Sequence, residues 1–142
     1  MHATAEGIVG REDRIPIRSE VDIVEARNRG RDLAREAGFR STDQTLIATA
    51  ISEVTRNIIR YAEEGEVILR LTGKGSRPGI VVVAMDSGPG IPDIEQALED
   101  GYTTGRSLGL GLPGMRRLMD EFQVESEVGE GTTVTMWKWT TR

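Results

Sequence analysis

Residues 42–62 read TDQTLIATAISEVTRNIIRYA, and this stretch decides the fold. Its apolar residues, among them Ile51 and Ile58, recur at the spacing of one face of an α-helix. Glu53 and Asn57 stand four positions apart and therefore share one side of that helix. They fall at the rim of the apolar stripe, which is where a ligand cleft could open beside a buried helix.

The segment before this helix predicts a strand and a first helix. Residues 14–18 (RIPIR) alternate in polarity, which is typical of a strand. A helix is expected over residues 19–37, and Gly38 provides its stop signal. The residues expected to face the core from this helix are Val21, Val24, Leu33 and Ala34.

Two capping boxes are expected at the helix starts. Ser19 stands three residues before Asp22, and Ser41 stands three residues before Gln44. In such a motif the first side chain accepts a backbone N–H of the first turn, and the second side chain returns the interaction.

After the long helix, β-branched runs alternate with glycine-rich turns, which predicts consecutive strands that pair mainly antiparallel. The expected elements are strands at 66–72 and 79–86, a short helix from Pro92 to Leu98, a polar loop at 100–108, a helix at 111–121, and strands at 122–128 and 132–139. The fold class is therefore α+β, a two-layer sandwich with a mixed, mainly antiparallel sheet and helices on one face. We expect a tail over residues 1–12 and a single domain over residues 13–142.

The composition excludes several kinds of site. The 142 residues contain no cysteine and a single histidine, His2, which excludes disulfides, thiolate zinc sites and a histidine-based triad in the core. The net charge of -5 argues against nucleic-acid binding by a broad basic surface. There is neither an apolar run of the ~18 residues that a membrane helix needs nor a secretory signal. We therefore expect a soluble, cytoplasmic protein without membrane or nucleic-acid partners, in which any metal is a hard ion such as Mg²⁺.

The spacing of Glu53 and Asn57 suits phosphoryl transfer. A carboxylate can accept a hydroxyl proton, and an amide oxygen can bind Mg²⁺. Arg60 and Tyr61 continue the same edge by another helical turn. Taken alone, such a pair is more often an ordinary polar flank of an amphipathic helix.

The sequence DSGPGI, residues 86–91, follows a strongly apolar strand. Asp86 would emerge at the end of that strand, where its carboxylate can accept a hydrogen bond from an exocyclic amine such as that of adenine. Gly88 and Gly90 would let the backbone approach a ligand closely. The alternative is a simple turn that begins with Asp.

Residues 105–114 (GRSLGLGLPG) match G-x-G-x-x-G at Gly109, Gly111 and Gly114. A dinucleotide site is rejected because the preceding segment is polar and no βαβ unit surrounds the match. Glycine-rich backbone that leads into a helix still makes an anion site, so N–H groups of residues 109–112 could hold phosphates. The polar loop before them could close as a lid, and the alternative is a helix start preceded by a plain loop.

Residues 129–132 (GEGT) lie between the last two expected strands and predict a hairpin turn. Trp137 and Trp139 alternate with Lys138 and would share one face of the final strand. Core packing is a better interpretation of this pair than a stacking platform for bases.

The order of these signals resembles the GHKL superfamily of ATPases and kinases, which includes gyrase, Hsp90, histidine kinases and MutL. A helix with E-x-x-x-N, a strand ending in D-x-G-x-G, a lid leading into G-x-G and a G-x-G-T hairpin follow one another over residues 14–139. The resemblance implies a mixed sheet backed by helices, with ATP and Mg²⁺ bound between them.

The resemblance also implies a role for each matching residue. Glu53 would be the general base, and Asn57 would be the Mg²⁺ ligand. Arg60 would lie near a phosphate and Tyr61 near the nucleotide base. The other implied ATP contacts are Asp86 at the adenine amine, helped by a water and Thr132, then Gly88 and Gly90 at the adenine wall, Ile91 elsewhere in the nucleotide site, Gly109, Leu110, Gly111 and Leu112 at the phosphates, and Arg106, which could reach the γ-phosphate when the lid is closed.

Within the superfamily, four segments resemble the RsbT-type switch kinases of the bacterial stressosome. They are residues 22–34 (DIVEARNRGRDLA), 43–58 (DQTLIATAISEVTRNI), 86–104 (DSGPGIPDIEQALEDGYTT) and 109–122 (GLGLPGMRRLMDEF). This resemblance implies an ATP-dependent serine/threonine protein kinase that acts on STAS-domain partners in a stress-signalling partner switch. It also implies activation of a PP2C-type phosphatase by binding.

Three alternatives stay open. One is an anti-sigma-factor kinase that sequesters a sigma factor, and another is a nucleotide-gated binding switch without catalysis. The third, a histidine kinase catalytic domain, is disfavoured because the chain has only His2 and no dimerisation helix with a phosphoacceptor histidine.

Overall fold

The computed structural model describes residues 12–99 and 111–141. Its elements are β1 (Glu12–Ile17), α1 (Glu20–Ala37), α2 (Ser41–Ala62), β2 (Gly65–Lys74), β3 (Arg77–Asp86), α3 (Ile94–Ala97), α4 (Gly111–Leu118), β4 (Glu121–Glu127) and β5 (Gly131–Trp139). None of the helices within these residues is both long and apolar enough to cross a bilayer. Residues 1–11 of the predicted tail and the predicted lid lie outside the described residues.

The five strands form one sheet in the order β1-β2-β3-β5-β4, and every neighbouring pair is antiparallel. The predicted α+β class is therefore confirmed, although no parallel pair occurs among the described strands. The fifth strand lies between β3 and β4, so it belongs to the interior of the sheet. This position brings the β4–β5 hairpin next to the end of β3.

The core lies between one face of the sheet and the helices. Alternate residues of β3, Ile80, Val82 and Ala84, pack in the same cluster as Ile51 of α2 and Leu33 of α1. The alternation follows from the period of two in a strand, which sends successive side chains to opposite faces. Asp86 continues this series and therefore emerges on the helix side of the sheet.

The opposite face of the sheet carries the tryptophans. Trp139 is 8% exposed and pairs across the strands with Gly79, which has no side chain to compete with the indole. The ammonium group of Lys74 lies 4.5 Å from the Trp139 ring centroid. Trp139 is therefore buried on the outer face of the sheet and lies outside the core cluster, which differs from the core packing expected from sequence.

The core face of α1 differs from the prediction. Val21 is 73% exposed and Val24 is 43% exposed, so the expectation that they face inward is wrong. The buried face instead runs through Ile23, Ala26 and Gly30 to the correctly predicted Leu33 and Ala34. The buried face of α1 carries small residues because α1 packs closely on α2. A Cβ at Gly30 would overlap the side chain of Ile51.

Neither predicted capping box forms. The Ser19 side chain makes no cap hydrogen bond, and the Asp22 carboxylate accepts the N–H of Arg18 at 2.8 Å. The long helix begins at Ser41 itself, so Ser41 is not its N-cap, and the Gln44 amide donates to the carbonyl of Phe39 at 2.9 Å. In both cases the second polar side chain ties down the chain ahead of the helix rather than completing a reciprocal pair.

Two predicted boundaries also move. The β2–β3 hairpin extends to Lys74 and Arg77, which leaves a two-residue turn instead of the predicted longer one. The helix predicted over 111–121 ends at Leu118, where the Lys138 ammonium donates to the Leu118 carbonyl at 2.9 Å. A basic side chain that binds the last carbonyl groups is a common way to end a helix.

Candidate functional site

The site is built on a row of residues that crosses the sheet. Gly65, Asp86, Thr132 and Ser126 are successive partners on β2, β3, β5 and β4. We call these four residues the transverse row. Because Asp86 lies on the helix side of the sheet, Asp86 and its strand partner Thr132 face α2. Asn57 and Tyr61 of α2 line the same cavity from the helix side.

Between the transverse row and α2 lies a cavity of about 160 Å³. Seven of the residues expected from sequence line it together: Asn57, Tyr61, Asp86, Ile91, Gly111, Leu112 and Thr132. They come from α2, β3, the loop after β3, α4 and β5, so only the fold can assemble them.

The apolar part of this lining was missed from sequence. It consists of Val54, Ile58, Ala84, Ala97, Pro113 and Val134. Periodicity could have found most of them. Val54 and Ile58 lie on the helical stripe that carries Asn57 at its rim, and Ala84 and Val134 stand two residues from Asp86 and Thr132 on the same strand faces. These side chains give the cavity its apolar walls.

The remaining candidate residues lie elsewhere. Four described ones, Glu53, Arg60, Gly88 and Gly90, are not part of the cavity lining. Gly109, Leu110 and Arg106 lie outside the described residues. Arg60 stays close to the site, because its guanidinium carbon lies 6.0 Å from the centroid of the Tyr61 ring.

Glu53 lies one helical turn before Asn57, and its side chain is 14% exposed. Its Oε2 accepts a hydrogen bond from Nη1 of Arg56 at 2.8 Å. A charge-assisted bond of this length holds the carboxylate in one orientation. A general base must be held in one orientation toward the proton that it accepts.

The Asp86 carboxylate is oriented by its own turn. Oδ1 accepts the N–H of Gly88 at 2.9 Å. An ionised carboxylate has about four lone-pair sites, so this bond leaves acceptor capacity for a donor in the cavity. Asp86 can therefore stabilise its own turn and still bind a ligand, although the sequence analysis had treated these two roles as alternatives.

The glycines of the loop after β3 are needed for packing between protein segments. A Cβ at Gly88 would lie 2.6 Å from the Cβ of Ala62 at the end of α2, and one at Gly90 would lie 2.5 Å from the carbonyl oxygen of Glu127. Gly90 also has a φ of 83°, which favours glycine. The loop that carries Ile91 therefore passes close to the end of α2 at Gly88 and close to the β4–β5 hairpin at Gly90.

Ser126 is a polar residue of the site that sequence reasoning missed. Its hydroxyl accepts the N–H of Ile91 at 2.7 Å, donates to the carbonyl of Gly131 at 3.0 Å and lies 2.8 Å from the hydroxyl of Thr132. It therefore connects the loop after β3 with the start of β5. The hairpin register and strand alternation, which put Ser126 opposite Thr132, carried the signal.

The residues present fit a purine nucleotide. The cavity is close in size to the ~150 Å³ apolar cavity known to bind benzene, which suits a flat ring. Apolar walls and a carboxylate acceptor match an aromatic base with an exocyclic amine. Within the described ranges, no group of three or more His, Cys, Asp or Glu side chains is arranged to hold a metal. A Mg²⁺ ion bound through Asn57 would need phosphate oxygens as its other ligands, which is its usual coordination beside nucleotides.

Known proteins resemble this chain in sequence and in fold. Residues 16–138 match the family described as the histidine kinase-like ATPase domain, so the chain belongs to that family. It is 48% identical over 125 residues to the serine/threonine-protein kinase RsbT of Bacillus subtilis, covering 88% of this chain and 94% of RsbT. The predicted membership of the superfamily, with the RsbT type as the match, is confirmed, and so is the predicted enzyme class.

More distant relatives agree in fold. The anti-sigma F factor of Thermoanaerobacter sp. is 37% identical over 97 residues, which cover 66% of this chain and 68% of that protein. The RsbU and RsbW domains of Rv1364c from Mycobacterium tuberculosis superpose with a TM-score of 0.65 at 19% identity, covering 93% of this chain and 33% of that one. The catalytic domain of histidine kinase ThkA superposes with a TM-score of 0.54 at 18% identity, covering 91% of this chain and 97% of that domain.

Proposed function

We propose that the protein phosphorylates a serine or threonine on a STAS-domain partner, using Mg-ATP, as part of a cytoplasmic stress-signalling partner switch. In a second role it binds and activates a PP2C-type phosphatase. The support is the similarity to RsbT along nearly the whole of both chains. We also propose that residues 13–142 form the single domain that performs both roles.

One observation carries the proposal. Asn57 of α2, Asp86 of β3 and Thr132 of β5 line the same cavity, and Glu53 lies one turn from Asn57 on the same helix. This arrangement supports a division of roles. Asp86 and Thr132 hold the adenine edge, Asn57 binds Mg²⁺, and Glu53 accepts the proton of the substrate hydroxyl.

The chemistry follows from these roles. Mg-ATP supplies the γ-phosphoryl group and charge neutralisation when it is bound. Glu53 takes the hydroxyl proton of the partner's Ser or Thr as that oxygen bonds to the γ-phosphorus and the bond to the ADP oxygen breaks. Arg56 keeps the Glu53 carboxylate oriented before the proton arrives. Gly109, Leu110, Gly111 and Leu112 offer backbone N–H groups to the phosphates, Arg60 adds positive charge near them, and Arg106 reaches the γ-phosphate from the lid.

The direct test is transfer of labelled phosphate from Mg-ATP to purified STAS-domain proteins encoded in the same genome. We expect one of them to be labelled on Ser or Thr. If the protein binds ATP but labels none of these proteins, the substrate class is wrong.

The second candidate function is that of an anti-sigma-factor kinase, which the similarity to anti-sigma F factors favours. A pull-down with immobilised protein separates the two functions. Recovery of a sigma factor rather than a STAS-domain protein would replace the first proposal with the second.

Asp86→Asn is expected to weaken ATP binding about 100-fold, a loss typical of a buried hydrogen bond to a charged group. The Asn oxygen can keep the bond to the Gly88 N–H, and its NH₂ group then faces the adenine amine, so two donors oppose each other. Titration calorimetry measures the effect.

Asp93→Asn is the matched control for Asp86→Asn. Asp93 also accepts a backbone N–H, that of Gln96 at 3.1 Å, but it does not line the cavity. Its substitution should leave ATP affinity near wild type. Equal ATP affinity of Asp86→Asn and wild type would remove Asp86 from the adenine contact.

A further inference from the structure

The hydrogen bonds of Ser126 fix which way the neighbouring hydroxyl points. A serine hydroxyl has one hydrogen and two lone pairs. The Gly131 carbonyl can only accept, so the 3.0 Å contact uses the Ser126 hydrogen. The Ile91 N–H can only donate, so the 2.7 Å contact uses one lone pair.

The third contact then has a single solution. With its hydrogen used, Ser126 can only accept from Thr132, whose oxygen lies 2.8 Å away. The one hydroxyl hydrogen of Thr132 is therefore directed at Ser126. What Thr132 presents to the cavity is a pair of acceptor lone pairs.

This direction gives the cavity a defined polarity. Asp86 lies opposite Thr132 on the neighbouring strand and is also an acceptor. The discrimination concerns the substituent at position 6 of the purine. An N–H₂ group there has two hydrogens to donate to these two acceptors, whereas a carbonyl oxygen there has none and finds no donor opposite it.

We propose that Ser126 is a positioning residue that holds Thr132 as an acceptor and thereby makes the site select a 6-amino purine over a 6-oxo purine. Ser126 does not line the cavity, so it acts through Thr132. The inference rests on the proposed function only in placing the purine edge of the nucleotide against Asp86 and Thr132.

Calorimetric titration with Mg-ATP and with Mg-ITP tests the proposal, because inosine triphosphate carries an oxo group where adenosine triphosphate carries the amine. We expect wild type to prefer ATP. Ser126→Ala frees the Thr132 hydroxyl to donate, so the ratio of ATP to ITP affinity should fall about tenfold, the size of one hydrogen bond. Ser126→Thr, which keeps a hydroxyl, should retain the wild-type ratio.

The affinity ratio separates positioning from general damage. A loosened loop would lower the affinities for ATP and ITP by the same factor and leave their ratio unchanged. That result in Ser126→Ala would overturn the proposal. Thr132→Val should lower the ratio by itself, and adding Ser126→Ala should lower it no further, since coupled residues are non-additive. Thr132→Val also serves as the test if Ser126→Ala does not fold. Thr133→Val, on the opposite face of the same strand, is the control.

The wild-type titrations distinguish this inference from the proposed function. Wild type that binds ATP and ITP equally contradicts the role of Ser126 and leaves the kinase proposal standing. Wild type that binds neither nucleotide overturns both.

Discussion

Glu53→Gln is expected to bind ATP like wild type and to transfer phosphate to its partner 10²–10⁴-fold more slowly, roughly the contribution of a general base. The amide has nearly the shape of the carboxylate, and its oxygen can still accept from Arg56, so α2 should keep its surface structure. It cannot take up the hydroxyl proton. Single-turnover transfer of labelled phosphate measures the chemical step, and calorimetry measures ATP affinity.

Glu25→Gln is the matched control for this experiment. Glu25 is a helix carboxylate on α1 that pairs with Arg29 at 3.1 Å, and it is not part of the cavity lining. It should transfer phosphate at the wild-type rate. If Glu53→Gln retained full transfer, the base would have to be another group, and a loss of ATP affinity equal to the loss of rate would indicate a binding role.

Gly131→Ala is expected to cost about 4 kcal/mol of unfolding free energy, from backbone strain and overpacking together. Gly131 has a φ of 134°, a region that residues with a Cβ rarely adopt. A Cβ there would also overlap the carbonyl oxygen of Asp86. Since Asp86 must move to relieve this overlap, ATP affinity should fall as well. Urea unfolding measures the first effect, and calorimetry measures the second.

Gly129→Ala separates strain from overlap in the same turn. Gly129 also has a positive φ, 83°, but no atom lies within 4 Å of an added Cβ. This variant should lose only about 1 kcal/mol and bind ATP normally. A similar loss of unfolding free energy in the two alanine variants would mean that the β4–β5 hairpin shifts at little cost and that the added Cβ of Gly131→Ala does not displace Asp86.

Much of the fold could be predicted because a regular apolar pattern over a long segment indicates whether that segment is a helix or a strand. The helix predicted over 42–62 differs from α2 by one residue, and the two hairpins appear where β-branched runs meet glycine turns. The candidate site residues came from four separate segments, and seven of them line one cavity. Their order along the chain resembles that of the GHKL superfamily, and this resemblance, rather than any single motif, implied that they form one site.

What could not be predicted depends on neighbours that sequence spacing does not show. The buried face of α1 is chosen by close packing at Ala26 and Gly30, whose small side chains carry little hydrophobic signal, while the larger Val21 and Val24 stay exposed. Ser126 looks like any polar strand residue until the hairpin register puts it beside Thr132. Both capping sequences are present in the chain, but Asp22 and Gln44 bond to backbone groups other than those of a capping box.

The interior position of β5 has a consequence for biosynthesis. The ribosome synthesises the strands in chain order. One edge of β3 therefore stays unpaired while β4 and then β5 are made. Thr132, Val134 and the Gly131 turn arrive with β5, after every other described part of the nucleotide cavity has been made. The proposed ATP site is therefore complete only when β5 has joined the sheet. From that moment the nucleotide stabilises only the finished domain, by mass action on the folded state.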